Sequence, residues 1–142
     1  MKIVLDTNVL VSGLISQGSP PGGLTEAWRS GRFTLLTSRA QLIEFRRVLG
    51  YERLQKYVNQ DQAQTLVETI VSVAEILDEE LRKIQFSPDP DDNLIIASAI
   101  VGEADLIVTG DKSVLLFLKE VEGIRIVAPR QALEDIGGNY QV

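Results

Sequence analysis

The sequence predicts an α/β domain with a mostly parallel central sheet and helices on both faces of that sheet. Two observations support this fold class: short apolar runs typical of strands buried on both faces, and segments between them whose apolar residues keep helical spacing. The predicted strands cover residues 3–5, 33–37, 106–109 and 124–127. A chain of 142 residues fits one such domain, which we assign to residues 1–136, with a C-terminal tail at 137–142.

The first part of the chain is predicted to alternate between strands and helices. The first apolar run ends at Asp6, and a short helix follows at residues 9–15. Residues 16–23 contain two prolines and three glycines, so we expect a loop there. A helix at about residues 24–30 then leads into the second strand.

Two longer helices follow, each with a capping signal. Ser38 with Gln41 three residues later is typical of a capping box, and Gly50 ends this helix. Asn59 is placed to cap a long helix whose apolar residues keep three-and-four spacing. That apolar face comprises Ala63, Leu66, Val67, Ile70, Val71, Ala74 and Leu77.

The last part of the chain repeats the alternation. After a polar loop around residues 87–88, a helix is predicted at residues 89–102, beginning with an Asp-Pro pair. The third strand leads through a turn at residues 110–111 into a helix near residues 113–118. The fourth strand is followed by a last helix that Pro129 opens.

The absence of His and Cys restricts the chemistry that this chain can perform. A Ser-His-Asp hydrolase, a zinc site of ordinary type and a disulfide framework are all excluded. The longest apolar run, at residues 94–101, is far short of the roughly 20 residues that cross a bilayer. Asp6 interrupts the N-terminal apolar run before a signal peptide develops, so we expect a cytoplasmic protein without a membrane segment.

The charges are distributed unevenly along the chain, whose net charge is −6. Residues 29–56 hold seven cationic and two acidic side chains, a local charge of +5, which leaves −11 for the remainder. A phosphate-binding surface beside an acidic metal pocket would have this pattern. A solvated helical face explains the basic stretch equally well.

Four acidic residues lie where an apolar segment stops or on a predicted helix: Asp6, Glu44, Asp92 and Asp111. Asp6 and Asp111 follow the carboxyl ends of strands, where parallel sheets bind ligands. Each residue also has a simpler explanation. Asp6 can cap a helix, and Asp92 can stabilise a helix start by its charge. Asp111 can form a turn, and Glu44 can pair with Arg47. Three acids within residues 89–92 exceed what a helix start requires, which favours a nearby cation.

The chain resembles the PIN-domain ribonucleases over essentially its whole length. The motifs that carry this resemblance are IVLDTNVL at residues 3–10, EFRRVL at 44–49, DPDDN at 89–93 and VTGDK at 108–112. The sequence is similar in particular to small bacterial and archaeal PIN proteins that act as toxins in type II toxin-antitoxin pairs. The resemblance implies a three-layer α/β/α sandwich.

The resemblance also implies a divalent-metal site formed by Asp6, Glu44, Asp92 and Asp111. Thr7, Asn8 and Thr109 would be supporting polar residues. Mg²⁺ or Mn²⁺ suits an all-carboxylate site, and such an ion can activate water for hydrolysis of RNA phosphodiester bonds. Many relatives carry a further acid two positions after the last one, where this chain has Ser113, so the number of metal ions stays open.

Further expectations concern the partners of the chain. The resemblance implies an RNA substrate, a cognate antitoxin protein and a homodimer. Arg46, Arg47 and Lys112 are candidates for phosphate contacts. Among the aromatic residues, Trp28 and Phe33 are expected in the core, whereas Tyr51 and Tyr57 can stack on bases or join the core.

Two alternatives from other classes remain open. One is a catalytically weak or inactive PIN-like protein that binds RNA or another partner. The other is a haloacid-dehalogenase-type phosphatase, which normally needs a second Asp two residues after the first, where this chain has Asn8.

Overall fold

The computed structural model of the chain describes residues 1–78, 89–110 and 114–137. Its strands are β1 (Lys2–Leu5), β2 (Thr34–Ser38), β3 (Glu75–Leu77), β4 (Leu106–Val108), β5 (Glu120–Val121) and β6 (Ile124–Val127). They form one sheet in the order β3-β2-β1-β4-β6-β5. All neighbouring strands run parallel except β5 and β6, so the predicted mostly parallel sheet is confirmed.

Six α-helices connect or follow these strands in the described part of the chain. They are α1 (Thr7–Ile15), α2 (Pro20–Arg29), α3 (Arg39–Leu49), α4 (Gln60–Val73), α5 (Pro90–Val101) and α6 (Pro129–Ile136). Two 3₁₀ segments lie at Glu52–Leu54 and Val114–Leu118. None of these helices combines the length and the apolar character that crossing a bilayer requires.

The central sheet separates two hydrophobic clusters. Ile3 and Leu5 of β1 point to one face, where they pack with buried residues of α1, α2, α3, α4 and α6. Val4 points to the other face, where it packs with α5 and with Leu115 of the second 3₁₀ segment. Alternate residues of a strand face opposite sides of a sheet, so β1 is buried on both sides. The three-layer α/β/α arrangement is therefore confirmed.

The predicted loop at residues 16–23 is wrong in its second half, because α2 already begins at Pro20. The Ser19 hydroxyl accepts a hydrogen bond from the Gly22 backbone N–H at 3.4 Å, and the two prolines occupy the first turn, where a missing N–H costs nothing. A Cβ atom at Gly22 would clash with the Gln17 carbonyl oxygen. The glycine thus permits the close approach of the preceding turn, and residues that suggested a loop instead start a helix.

The predicted long helix is also wrong at its C-terminal end. Helix α4 ends at Val73, because Ala74 leaves the helical conformation (ψ 153°) and the chain continues as β3 beside β2. Ala74 and Leu77 continue the helical spacing of α4, so the apolar pattern does not show where the chain leaves the helix. Strand β5 was not predicted. The helix expected near residues 113–118 is a 3₁₀ segment at Val114–Leu118. The predicted loop around residues 87–88 and residues 138–142 of the tail lie outside the described residues.

Candidate metal and nucleic-acid site

The candidate site lies at the carboxyl ends of the two central strands β1 and β4. Leu5 of β1 is in register with Val108 of β4, and the Asp6 backbone N–H donates to the Val108 carbonyl at 2.9 Å. This register brings Asp6 and Thr109, which directly follow the two strands, side by side. The Thr109 hydroxyl donates a hydrogen bond of 2.9 Å to Oδ2 of Asp6.

Asp6 is a half-buried carboxyl group at the start of α1. Burial raises the pKa of Asp6, while the hydrogen bond from Thr109 and the nearby N–H groups of Asn8 and Thr7 oppose this rise, and the negative charge of Asp89 adds to it. Its side chain forms no well-aligned capping hydrogen bond with α1. The Asn8 and Thr7 N–H groups nevertheless interact with this carboxylate, so Asp6 both bonds Thr109 and stabilises the start of α1.

Glu44 of α3 turns toward the same strand ends. Its Oε2 accepts a hydrogen bond of 3.1 Å from the hydroxyl of Thr7, a residue buried at the start of α1. Burial raises the pKa of Glu44 from its ordinary 4.5 to about 7. The charge of Asp91, a hydrogen bond with that carboxyl group and the charge of Asp6 act in the same direction, and the Thr7 hydroxyl opposes them.

The orientation of Glu44 decides between two explanations for this residue. In the described part of the chain, Glu44 bonds Thr7 and forms no ion pair with Arg47. The alternative of an ion pair on a solvated helix face is therefore wrong. Because Glu44 interacts electrostatically with both Asp6 and Asp91, three separate elements contribute acids to one region.

The buried side chain of Gln41 connects α3 to the end of β1. Its Nε2 donates to the Leu5 carbonyl at 2.6 Å, and its Oε1 accepts from the Thr37 hydroxyl at 2.8 Å. Its backbone N–H donates to the Ser38 hydroxyl at 3.1 Å, so the predicted N-cap is confirmed. The second hydrogen bond of a capping box, from the Ser38 backbone N–H to the Gln41 side chain, is wrong, because that side chain bonds Thr37 and Leu5 of the sheet instead. Gln41 thereby fixes the helix turn that carries Glu44 beside the strand end that carries Asp6.

The three acids at the start of α5 have different surroundings. Asp89 caps the helix, since its Oδ1 accepts from the Asp91 backbone N–H at 2.9 Å. Asp91 is the neighbour of Glu44 described above, and Asp92 is half-buried in the same helical turn. The sequence analysis selected Asp92 and did not select Asp91, which the structure places beside Glu44. The excess of acids in this run was the signal, but it could not distinguish adjacent residues that point in different directions on a helix.

The donor set is chemically suited to a hard divalent ion, because carboxylate and hydroxyl oxygens are the ligands that Mg²⁺ and Mn²⁺ prefer. Asp6 and Glu44 fit that requirement. Within residues 1–78, 89–110 and 114–137, however, no three acids are grouped closely enough to hold a metal ion on their own. Asp111, Lys112 and Ser113 lie outside the described residues, so the assignment of Asp111 stays a prediction.

Comparison with known proteins agrees with this architecture. The family model described as the PIN domain matches residues 2–113, which include the four predicted site residues. An uncharacterized protein of Methanocaldococcus jannaschii is 27% identical over 126 residues, which cover 89% of this chain and 81% of that relative. Its description assigns no activity.

Proposed function

Since the chain belongs to the PIN-domain family, whose members are generally nucleases, we propose that it is a divalent-metal-dependent endoribonuclease. The observation that supports this proposal is that Glu44 interacts with Asp91 and with Asp6, which follows the carboxyl end of β1, in a chain that has no His or Cys. We further propose that it is the toxin of a toxin-antitoxin pair and acts as a homodimer, as its resemblance to such PIN proteins suggests.

Asp6, Asp92, Asp111 and Glu44 are the proposed metal-binding residues, with Asp91 added because it contacts Glu44. A bound Mg²⁺ or Mn²⁺ would lower the pKa of water and offset charge on the phosphate. The Thr109 hydroxyl donates to Oδ2 of Asp6 and thereby orients this carboxylate. Thr7 orients Glu44, whose proposed role is to align the attacking water with the phosphorus atom.

The first test is cleavage of a pool of structured and single-stranded RNA with Mg²⁺, with Mn²⁺ or with chelator. We expect metal-dependent cutting, which Asp6→Asn abolishes. Asp61→Asn is the matched control, because Asp61 is an exposed acid in the first turn of α4. Binding of Mn²⁺ to the folded protein should also raise its Tm, and Asp6→Asn should remove that rise.

Asp91→Asn and Asp92→Asn, measured separately, determine which of the two adjacent acids serves the site. Loss of cutting in either variant supports an acid contributed by α5. A wild-type protein that neither cuts RNA nor gains stability with Mn²⁺ contradicts the proposed metal site. Stabilisation by Mn²⁺ without cutting would instead support a catalytically inactive relative.

A further inference from the structure

The end of α3 and the segment after it carry an exposed group of cations. We call Arg46, Arg47, Arg53 and Lys56 the α3 cationic surface; all four side chains are exposed. Residues 46–57 contain these four cations and a single acid, Glu52, so the net charge of this segment is +3. This surface accounts for much of the basic stretch seen in the sequence.

The cations of this surface are not neutralised within the part of the chain that the structure describes. Ion pairs there join Lys2 to Glu75, Arg39 to Asp78 and Arg125 to Asp135, and none of them includes a member of the α3 cationic surface. Arg39 lies in the same basic stretch and is paired at 2.8 Å. The α3 cationic surface therefore keeps its charge available for an anionic ligand.

Two tyrosines lie within this surface, each beneath a cation. The Arg53 guanidinium is 5.0 Å from the centre of the Tyr51 ring, and the Lys56 ammonium is 5.3 Å from the centre of the Tyr57 ring. Tyr57 is 56% exposed, so its ring is available for stacking. Cations that bind phosphates, interspersed with aromatic rings that stack bases, are how proteins hold single-stranded nucleic acid.

The α3 cationic surface is continuous with the acidic site through a single helix. Arg47 follows Glu44 by three residues, and residues at this spacing are neighbours on one helix face. Glu44 bonds Thr7 at the start of α1, and Arg47, almost one helical turn further along α3, is exposed. An extended polyanion lying along α3 would pass from these cations to the acids.

We propose that the α3 cationic surface binds a single-stranded RNA segment adjoining the scissile bond, with Arg47 and Lys56 on its phosphates and Tyr57 stacked on one unpaired base. This assignment rests on the proposed nuclease function and names the form of RNA that the site takes. A duplex keeps its bases stacked inside and offers none to Tyr57, so the surface should favour single strands.

Binding is measured by fluorescence anisotropy with a labelled single-stranded oligoribonucleotide, in chelator and over a range of salt concentrations. Each phosphate contact contributes about 0.7 to the slope of log K against log salt for single strands. The double variant Arg47→Gln/Lys56→Gln should therefore lower that slope by about 1.4. Tyr57→Ala should weaken binding roughly 5- to 150-fold with an unchanged slope, since it removes stacking and no charge.

Arg29→Gln is the matched control, because Arg29 is an exposed cation of the same basic stretch but lies on α2. We expect this variant to bind like the wild type. The assignment would be overturned if Arg29→Gln lost as much RNA affinity as the double variant. It would also be overturned if the double variant bound RNA as tightly as the wild type, or if the wild type bound no RNA. Competition by polyglutamate as effective as by unlabelled RNA would also overturn it, in favour of an acidic protein partner.

These outcomes are distinct from those of the proposed function. A wild-type protein that cuts RNA while the variants bind normally contradicts the surface and leaves the nuclease intact. A wild-type protein that binds RNA through this surface, yet cuts none with Mn²⁺, supports the surface and contradicts the nuclease.

Discussion

Replacing Gln41 by Met tests how α3 is held against the sheet. The Gln41 side chain is 1% exposed, and Met has a similar length without hydrogen-bonding groups. The variant leaves the Thr37 hydroxyl and the Leu5 carbonyl without the partners they have at 2.8 and 2.6 Å. Each unpaired buried group costs about 2 kcal/mol, and the more apolar side chain recovers about 1 kcal/mol, so the net loss is about 3 kcal/mol.

A loss of this size is readily measured by urea unfolding. The fluorescence of Trp28 reports the transition, since this residue is the sole tryptophan and is buried in the core. In thermal unfolding of a domain of this size, the same loss should lower the Tm by about 6–12 °C. Gln64→Met is the matched control, because Gln64 is exposed on α4, and it should stay within about 0.5 kcal/mol of the wild type.

A double-mutant cycle with Thr37→Val tests the hydrogen bond itself. Once Gln41 is replaced, removal of the Thr37 hydroxyl should cost much less than it does in the wild type, because its partner is already gone. Additive losses, or a Gln41→Met protein as stable as the wild type, would refute the proposed bracing of α3 by this side chain.

Two further predictions concern charge and packing. Because the pKa of Glu44 is raised from 4.5 to about 7, the folded state retains a proton that the unfolded chain has released, so metal-free stability falls as pH rises through this range. The urea midpoint of Glu44→Gln should therefore change less with pH than that of the wild type. An equal decline of the midpoint in both proteins would contradict a raised pKa of Glu44. Gly22→Ala should lose about 1–3 kcal/mol in urea unfolding, because the new Cβ would meet the Gln17 carbonyl, whereas Gly18→Ala, at an open position, should be nearly neutral.

The sequence predicted the parts of the fold that local patterns determine. Buried strands such as β1 and β4 are continuous apolar runs, and Trp28 and Phe33 are in the core as expected. The α2 start was missed because two prolines and three glycines within residues 16–23 are typical of a loop, whereas Ser19 caps a helix whose first turn accepts both prolines. Strand β3 was missed because its three residues are defined by pairing with β2.

The candidate site was predictable in its chemistry and less so in its geometry. The ends of β1 and β4 were located from sequence, and the structure brings Asp6 together with Thr109. Gln41 was read only as a capping residue, because no local pattern shows that its amide reaches the Leu5 carbonyl. The interaction of Asp91 with Glu44 was not predicted, because it depends on how α5 is rotated over the sheet.

The hydrogen bond between Thr109 and Asp6 joins residues 103 positions apart in the chain, and this separation has a consequence for biosynthesis. Contacts between such distant residues require closure of a long loop and cannot form until both partners have been made. At ribosomal rates of roughly 5–20 residues per second, on the order of 5–20 s separate the synthesis of Asp6 from that of Thr109. A nascent chain therefore lacks the assembled acidic site, and a protein that cuts RNA would become active only after most of its length has left the ribosome.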